Sequence, residues 1–383
     1  MVRPPSALVF GWGFGMSSEY YSRQEAERHG LRKNDHLRIN LEEEVEVAAV
    51  STGFEQVKLR HRALPELDLQ AVDTVTRFLG RQLRMPLLIS SMTGGTIQTQ
   101  QVNCRLAEAA QSRRIAMGVG SQRIMVEGQQ PVADWKRLRD LAPDIPLLAN
   151  LGIAQLNLGY GPDECLQAID AIEADALFLH CNALQECIQP GGNTDWSGLL
   201  GKLEEVCETL PVPVIVKEVG WGIDGVMARQ LRAAGVAGID VAGAGGTSWS
   251  EVERYRAEND RTRQVAGAFH GWGMSTAYCL QSVKHEMAAR GDDACLIIAS
   301  GGIRTGIEVV KALILGADLV GIAGPFLKQA ARSVDAVVEA IDTLQAVLQV
   351  AMFCMGAGSV TVLQGNTDLL LWDSGHVGEG ISP

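Results

Sequence analysis

No uninterrupted apolar run in this 383-residue chain approaches the roughly 18 to 20 residues needed to span a bilayer, so a protein integral to a membrane is not expected. Cys-x-x-Cys pairs and zinc-type Cys/His spacings are also missing. The eight cysteines are scattered, the pattern of reduced thiols in a cytoplasmic protein. Positive charge is scarce, with 33 Lys and Arg against 45 Asp and Glu and a formal net charge of -12. The overall field therefore opposes general binding to nucleic acid or to an anionic membrane, while local anion sites stay open. The start of the chain imitates a signal peptide, but the apolar stretch 7–16 holds three glycines and no convincing Ala-x-Ala site follows. That argues against secretion and leaves a loose extension or an upstream start.

What is present fits a globular α/β protein: 46% hydrophobic residues, 20% charged, and 42 glycines suited to many tight strand-to-helix turns. Residues 1–84 show no strand–helix rhythm and read as an N-terminal extension. They carry a basic cluster at Arg32, Lys33 and His36, then three consecutive acids at 42–44. This is either a solvated face or an arm that closes over an anionic ligand, since Arg supplies a planar donor fork and Lys a point charge.

From residue 85 onward, short apolar runs alternate with helix-compatible stretches, at 86–90, 115–119, 146–150, 176–180, 213–217, 237–241, 295–300 and 318–323. Eight such units predict an α/β fold, a single (β/α)8 TIM barrel over 85–365. A doubly wound open sheet shares the rhythm; the glycine turns after the seventh and eighth runs favour the barrel. Apolar residues at helical spacing predict helices over 102–111, 162–173, 199–209, 225–234 and 307–315, and a core-packing helix over 334–350. The long gap between the sixth and seventh runs holds a charged segment at 250–261 and reads as a lid or subunit-contact insertion. Residues 366–383 form a C-terminal tail.

The ends of the eight runs gather at one rim, where barrels keep their chemistry. The fourth organises the rest: His180 and Asn182 share one side of an extended segment, and Gln185 and Glu186 follow on the loop or first helical turn. Taken alone, this stretch fits a structural hydrogen-bonding pair or a helix start equally well. The turns 300–306 and 321–324, with Arg304, offer backbone N–H groups and helix N-termini to a phosphate, and 243–247 extends that donor surface. Ordinary glycine turns are the plainer reading. Lys217 ends an apolar run, so it must face the rim or be paired; it suits a Schiff base or the electron-rich end of a flavin. Glu218 faces the other way in a strand and is no obvious counter-ion. Glu186 beside Gln185 offers two hard oxygens to Mg²⁺, with a diphosphate as further ligand.

Together, Arg32-Lys33 with His36, the segments 92–95, 120–123 and 150–152, His180 to Glu186, 216–220, 245–247 and 301–304 resemble type 2 isopentenyl-diphosphate isomerases, in order from about residue 31 to 365. The resemblance implies an FMN barrel that interconverts isopentenyl and dimethylallyl diphosphate with reduced FMN and Mg²⁺, with NADPH as reductant, as a homotetramer or homo-octamer. It implies FMN contacts from Ser91, Met92, Thr93, Ser121, Asn150, Lys217, Thr247, Gly302, Ile303, Arg304, Ala323 and Gly324. It places Arg32, Lys33, His36, Ser121, Gln122 and Arg123 around the substrate, His180, Asn182 and Gln185 at the reacting group, and Glu186 on the metal. One departure stands out: Gly271 replaces the acid of the family's Asp-Trp-Gly segment, which puts contacts from that loop in doubt. Two other readings remain, an FMN oxidoreductase of the hydroxy-acid oxidase type and a flavin-binding barrel without activity.

Overall fold

The computed structural model describes residues 31–46, 49–92 and 97–371; Thr93, the segment before residue 31 and the tail after 371 lie outside the described residues. Eight strands close into a parallel barrel in chain order: β1 Leu87–Ile89, β2 Ala116–Gly118, β3 Leu147–Gly152, β4 Ala176–His180, β5 Val214–Lys217, β6 Gly238–Asp240, β7 Leu296–Ala299 and β8 Leu319–Ile322, which pairs back onto β1. Each coincides with one of the eight apolar runs, as buried parallel strands require.

Alternate strand residues point inwards. Leu88, Ala116, Leu148, Phe178, Ile215, Ile298 and Leu319 fill the interior with no exposed surface. Two positions further along each strand direction the chemistry changes to Ser90, Gly118, Asn150, His180, Lys217, Ser300 and Gly321, with Asp240 following Gly238. An apolar plug therefore supports a polar floor, and that floor is the base of the site.

The N-terminal extension is more structured than its sequence suggests. Thr76–Phe78 and Arg81–Leu83 form an antiparallel hairpin whose Phe78 and Leu83 join the interior cluster. Its turn residues, Leu79 and Gly80, both have positive φ (48° and 76°), the geometry that matches strand twist in tight hairpins. Burial of two such side chains contributes about 1.5–3 kcal/mol each. Beside the hairpin, Arg81 and Arg139 both reach the Asp175 carboxylate at 2.8 Å, and Arg139 also donates to the carbonyls of Ala142, Ile145, Ile172 and Glu173. The end of the barrel opposite the polar floor is thus closed by packing and by a fully engaged guanidinium.

The other unforeseen elements sit at the rim. Residues 31–42 are helical, and the insertion after β6 consists of two helices, Trp249–Arg256 and Asp260–Ala268, rather than an open loop. Fully buried Val252 packs with Ile39 and Val45, so the insertion braces the arm over the rim. Val334–Met355 extends beyond its expected end, and an 18-residue window of it, with mean hydropathy 1.5, is long and apolar enough to cross a bilayer. Asp335, Glu339 and Asp342 interrupt the apolar run, and the helix lies along Ile97–Arg113, Gly306–Ile314 and Gly324–Arg332 with Val337, Ile341 and Leu348 buried.

Candidate active site

The polar floor opens into a cavity of about 240 Å³. On one side its wall is backbone. Gly301 and Gly302, after β7, have φ of +102° and +71°, conformations that favour glycine. A Cβ on Gly301 would lie 2.1 Å from the Gly243 carbonyl oxygen, and one on Gly302 would lie 2.3 Å from that of Gly245. The two glycine turns therefore lock together. The Thr276 hydroxyl fastens them from behind by donating to the Gly301 carbonyl at 2.6 Å.

Only one of the two expected helix N-termini is open. Gly306–Ile314 is closed by its own capping box: Glu308 accepts from Thr305 N and Arg304 N, and Thr305 caps Glu308 N. Gly324–Arg332 has no capping side chain, so its first-turn N–H groups are available beside Ala323 and Gly324 in the cavity wall. Arg304 lines the cavity but is turned aside, pairing with Glu46 at 2.7 Å and donating to the carbonyls of Gly245 and Gly302.

The opposite wall is made of long side chains. Lys33 Nζ is buried and has no hydrogen-bond partner. Burial and the nearby charges of Arg32 and Arg123 push its pKa down to about 7, against a weaker pull from Glu127. Burial also lowers Arg32, partly offset by Glu186; Arg123 is held by Glu127 at 2.6 Å. His36 turns its ring to Glu253, 2.9 Å away, and Glu253 also accepts from Gln185 at 3.2 Å and Arg256 at 2.5 Å. Burial outweighs the pull of Glu253 and lowers the His36 pKa. The same burial alone would raise Glu253, but the donors around it prevail and hold it below the usual carboxylate range.

Between the walls lies the β4 end. His180 Nδ1 meets Asn150 Oδ1 at 2.8 Å, and burial with the charges of Lys217 and Lys33 holds the imidazole down to about 3. It is neutral, and its contact with Asn150 Oδ1, a carbonyl oxygen, has the ring donating. Asn182 donates to both Gln185 Oε1 (3.1 Å) and Glu186 Oε1 (3.0 Å), while Glu186 Oε2 takes the Asn193 N–H at 2.6 Å. Among the described residues no three His, Cys, Asp or Glu side chains cluster as a metal cage. Glu186 with Gln185 is the only hard-oxygen pair singled out by sequence that this wall presents.

Ser91, Met92, Ser121, Thr247 and Ile303 also line the cavity. Gln122 does not. Its amide donates to the Ala168 carbonyl at 2.7 Å and accepts from Asn150 N at 3.0 Å, so it ties two barrel units together and is removed from the substrate set. Motif position could not reveal this, because Gln122 lies beyond the strand, at the N-cap of the short helix Arg123–Val126, where no strand alternation sets the direction of a side chain. Gly271 sits at φ +87° beside Ala49 and Val50, in a turn outside the cavity lining, so the lost acid leaves the wall untouched. Sequence reasoning missed Glu253, Arg256 and Asp240. The last showed one signal, a single acid inside an apolar run.

A closed parallel barrel with an open helix N-terminus, locked glycine turns and unpartnered hydroxyls at one rim defines the FMN-dependent dehydrogenase class, and the signature of that family matches residues 28–129 and 165–369. Among solved structures, a flavocytochrome b2 mutant with pyruvate bound superposes with a TM-score of 0.64 at 17% identity, covering 95% of this chain and 88% of the other. A mandelate oxidase mutant gives 0.59 at 19%, covering 92% and 97%. At such identities the likeness establishes the barrel alone. Curated relatives reach much further: isopentenyl-diphosphate delta-isomerases of Synechococcus sp. (52% identical over 333 residues, 87% of this chain and 94% of that protein) and of Stutzerimonas stutzeri (50% over 336 residues, 87% and 95%). The chain belongs to the isopentenyl-diphosphate delta-isomerase family.

The residues present fit FMN. Buried Ser90 Oγ and Ser91 Oγ, both in the cavity lining, have no hydrogen-bond partner, and the glycine turns present backbone to the cavity. Unmet polar atoms at a floor of this kind call for a polar ligand.

Proposed function

We propose that this protein converts isopentenyl diphosphate to dimethylallyl diphosphate by allylic proton transfer, with FMN in the cavity and Mg²⁺ at Glu186. Reduced FMN, when bound, supplies the proton donor and acceptor. The chain's own residues bind and orient. The open N-terminus of Gly324–Arg332 and the bared turns at Gly302 and Ile303 would hold the cofactor phosphate. Ser91, Met92, Ser121, Asn150, Thr247 and Lys217 would frame its ring.

Arg32, Lys33 and Arg123 meet the substrate diphosphate, which Lys33 favours because an anion relieves its burial among other cations. Glu186, with Gln185, gives Mg²⁺ one or two protein oxygens, the diphosphate and water completing the shell. His180 and Asn182 orient the alkene end. With its pKa near 3, His180 is a poor base for hydroxy-acid oxidation, and His36 is engaged by Glu253. NADPH as reductant, a homotetramer or homo-octamer, and a cytoplasmic location complete the reading.

The observation that carries it is the buried, unpartnered Lys33 ammonium facing a glycine-walled cofactor cradle. The test is an anaerobic assay of isopentenyl diphosphate with photoreduced FMN. Dimethylallyl diphosphate should form only with both Mg²⁺ and reduced flavin; turnover by flavin-free protein would overturn the proposal.

A further inference from the structure

Strand register sets a row of three titratable residues across the cavity floor: His180 on β4 is the partner of Lys217 on β5, and Lys217 is the partner of Asp240 on β6. Asp240 has no role in the chemistry above. It has no exposed surface, its Oδ1 accepts the Ser300 hydroxyl at 2.6 Å, and its Oδ2 has no hydrogen-bond partner. A buried carboxylate oxygen in that condition is unfavourable unless a nearby cation compensates it. Lys217 Nζ lies 3.9 Å from Oδ2, too far for a hydrogen bond but close enough for strong attraction in a poorly solvated floor.

The adjacent acid is not the partner. Glu218 Oε2 accepts the backbone N–H groups of Val219, Gly220, Trp221 and Gly222, and Glu218 reaches Lys217 only through its main-chain carbonyl, at 2.6 Å. The remaining groups around the lysine offer it no counter-charge. From β4, burial keeps His180 neutral and pushes the Cys181 thiol up to about 12; from the arm, Lys33 brings a like charge to the same neighbour, His180. Burial raises Asp240 too, opposed first by the Lys217 ammonium and then by the Ser300 hydroxyl and the Ala242 backbone N–H.

We infer that Asp240 is a positioning residue for the isomerisation: its carboxylate is the counter-charge that fixes Lys217 on the cavity floor, and so sets where positive charge is presented to the cofactor ring. The second half of this statement rests on the proposed flavin-dependent function; the first does not. Neither part needs Asp240 to touch the substrate.

The experiment separates the two. On the full chain without added flavin, the pH dependence of acetic anhydride labelling at Lys217 is read by peptide mass spectrometry. In Asp240→Asn the amine, having lost its counter-charge, should be labelled at least tenfold more at a fixed pH on the rising part of the wild-type curve. Ser300→Ala, which loosens the carboxylate, should move the curve the same way by at least threefold, and it serves alone if Asp240→Asn does not fold. Superimposable curves for the folded variants and the wild type would overturn the inference. With FMN and Mg²⁺, Asp240→Asn should lower kcat at least tenfold, leave the diphosphate KM within twofold, and recover as pH falls. Shifted labelling with unchanged kcat would overturn the cofactor half alone. A wild type that binds no FMN would instead refute the proposed function while the labelling result stands.

Discussion

The two walls of the cavity are built from different material. On β6, β7 and β8 the wall is main chain, held by glycines whose missing Cβ atoms let two turns interlock. Across the floor it is long side chains arriving from three distant places: the 31–42 helix, the β4 end and Trp249–Arg256. Sterics fix the first wall before any ligand arrives, which suits a constant guest such as a cofactor phosphate. Hydrogen bonds and charge fix the second, so its behaviour depends on protonation and on every partner being present, which suits a substrate that comes and goes. If this division holds, a change to either wall should leave the other's ligand almost untouched.

The largest effect belongs to the backbone wall. Gly302→Ala would place a Cβ 2.3 Å from Gly245 O and 2.4 Å from Gly245 C, at a φ of +71°. Left-handed conformation and overpacking together should cost about 2–4 kcal/mol of stability in urea denaturation. FMN affinity should drop by about tenfold or more, because the interlocked turns must part. A variant of normal stability and flavin affinity would show that the interlock does not shape the cradle.

Glu253→Gln is the matching cut on the other side. It preserves shape but removes the charge that His36, Gln185 and Arg256 share. Hydrogen bonds to a charged group are worth about 1.5–3 kcal/mol, so kcat/KM for isopentenyl diphosphate should fall by about 10- to 100-fold. Flavin affinity, read by fluorescence titration, should stay within about twofold. Parallel loss of both would mean that the walls are one network.

The same contrast explains what could be read in advance. Glycine turns are local, so 243–247, 300–306 and 321–324 announced the backbone wall, as the eight apolar runs announced the barrel. The capping box that closes one helix N-terminus was also local, in Thr305 and Glu308, yet it matters only once the cradle is known. The side-chain wall was half visible. Arg32, Lys33 and His36 stood out as a basic cluster, but the acid that holds His36 lies 217 residues away, in a helix whose charges look like any solvated surface. Asp240 met Lys217 only through strand register, which the sequence does not number. The hairpin at 76–83 was hidden by strands of three residues each, too short to show alternation.

The smallest effect tests the protonation that separates the walls. With Lys33 pushed down to about 7, the free protein carries that ammonium below pH 7 and loses it above. Because kcat/KM reports free-enzyme protonation, it should decline as pH rises through about 7, by roughly 5- to 10-fold, and then level off on the charges of Arg32 and Arg123. Lys33→Arg keeps its charge across the range and should remove the decline. FMN affinity should stay flat over the same interval, since backbone N–H groups do not titrate there. A wild-type profile already flat between pH 6 and pH 9, checked by steady-state assays in one ionic strength, would remove Lys33 from diphosphate recognition. An equal decline in Lys33→Arg would assign the titration to another group on the same wall.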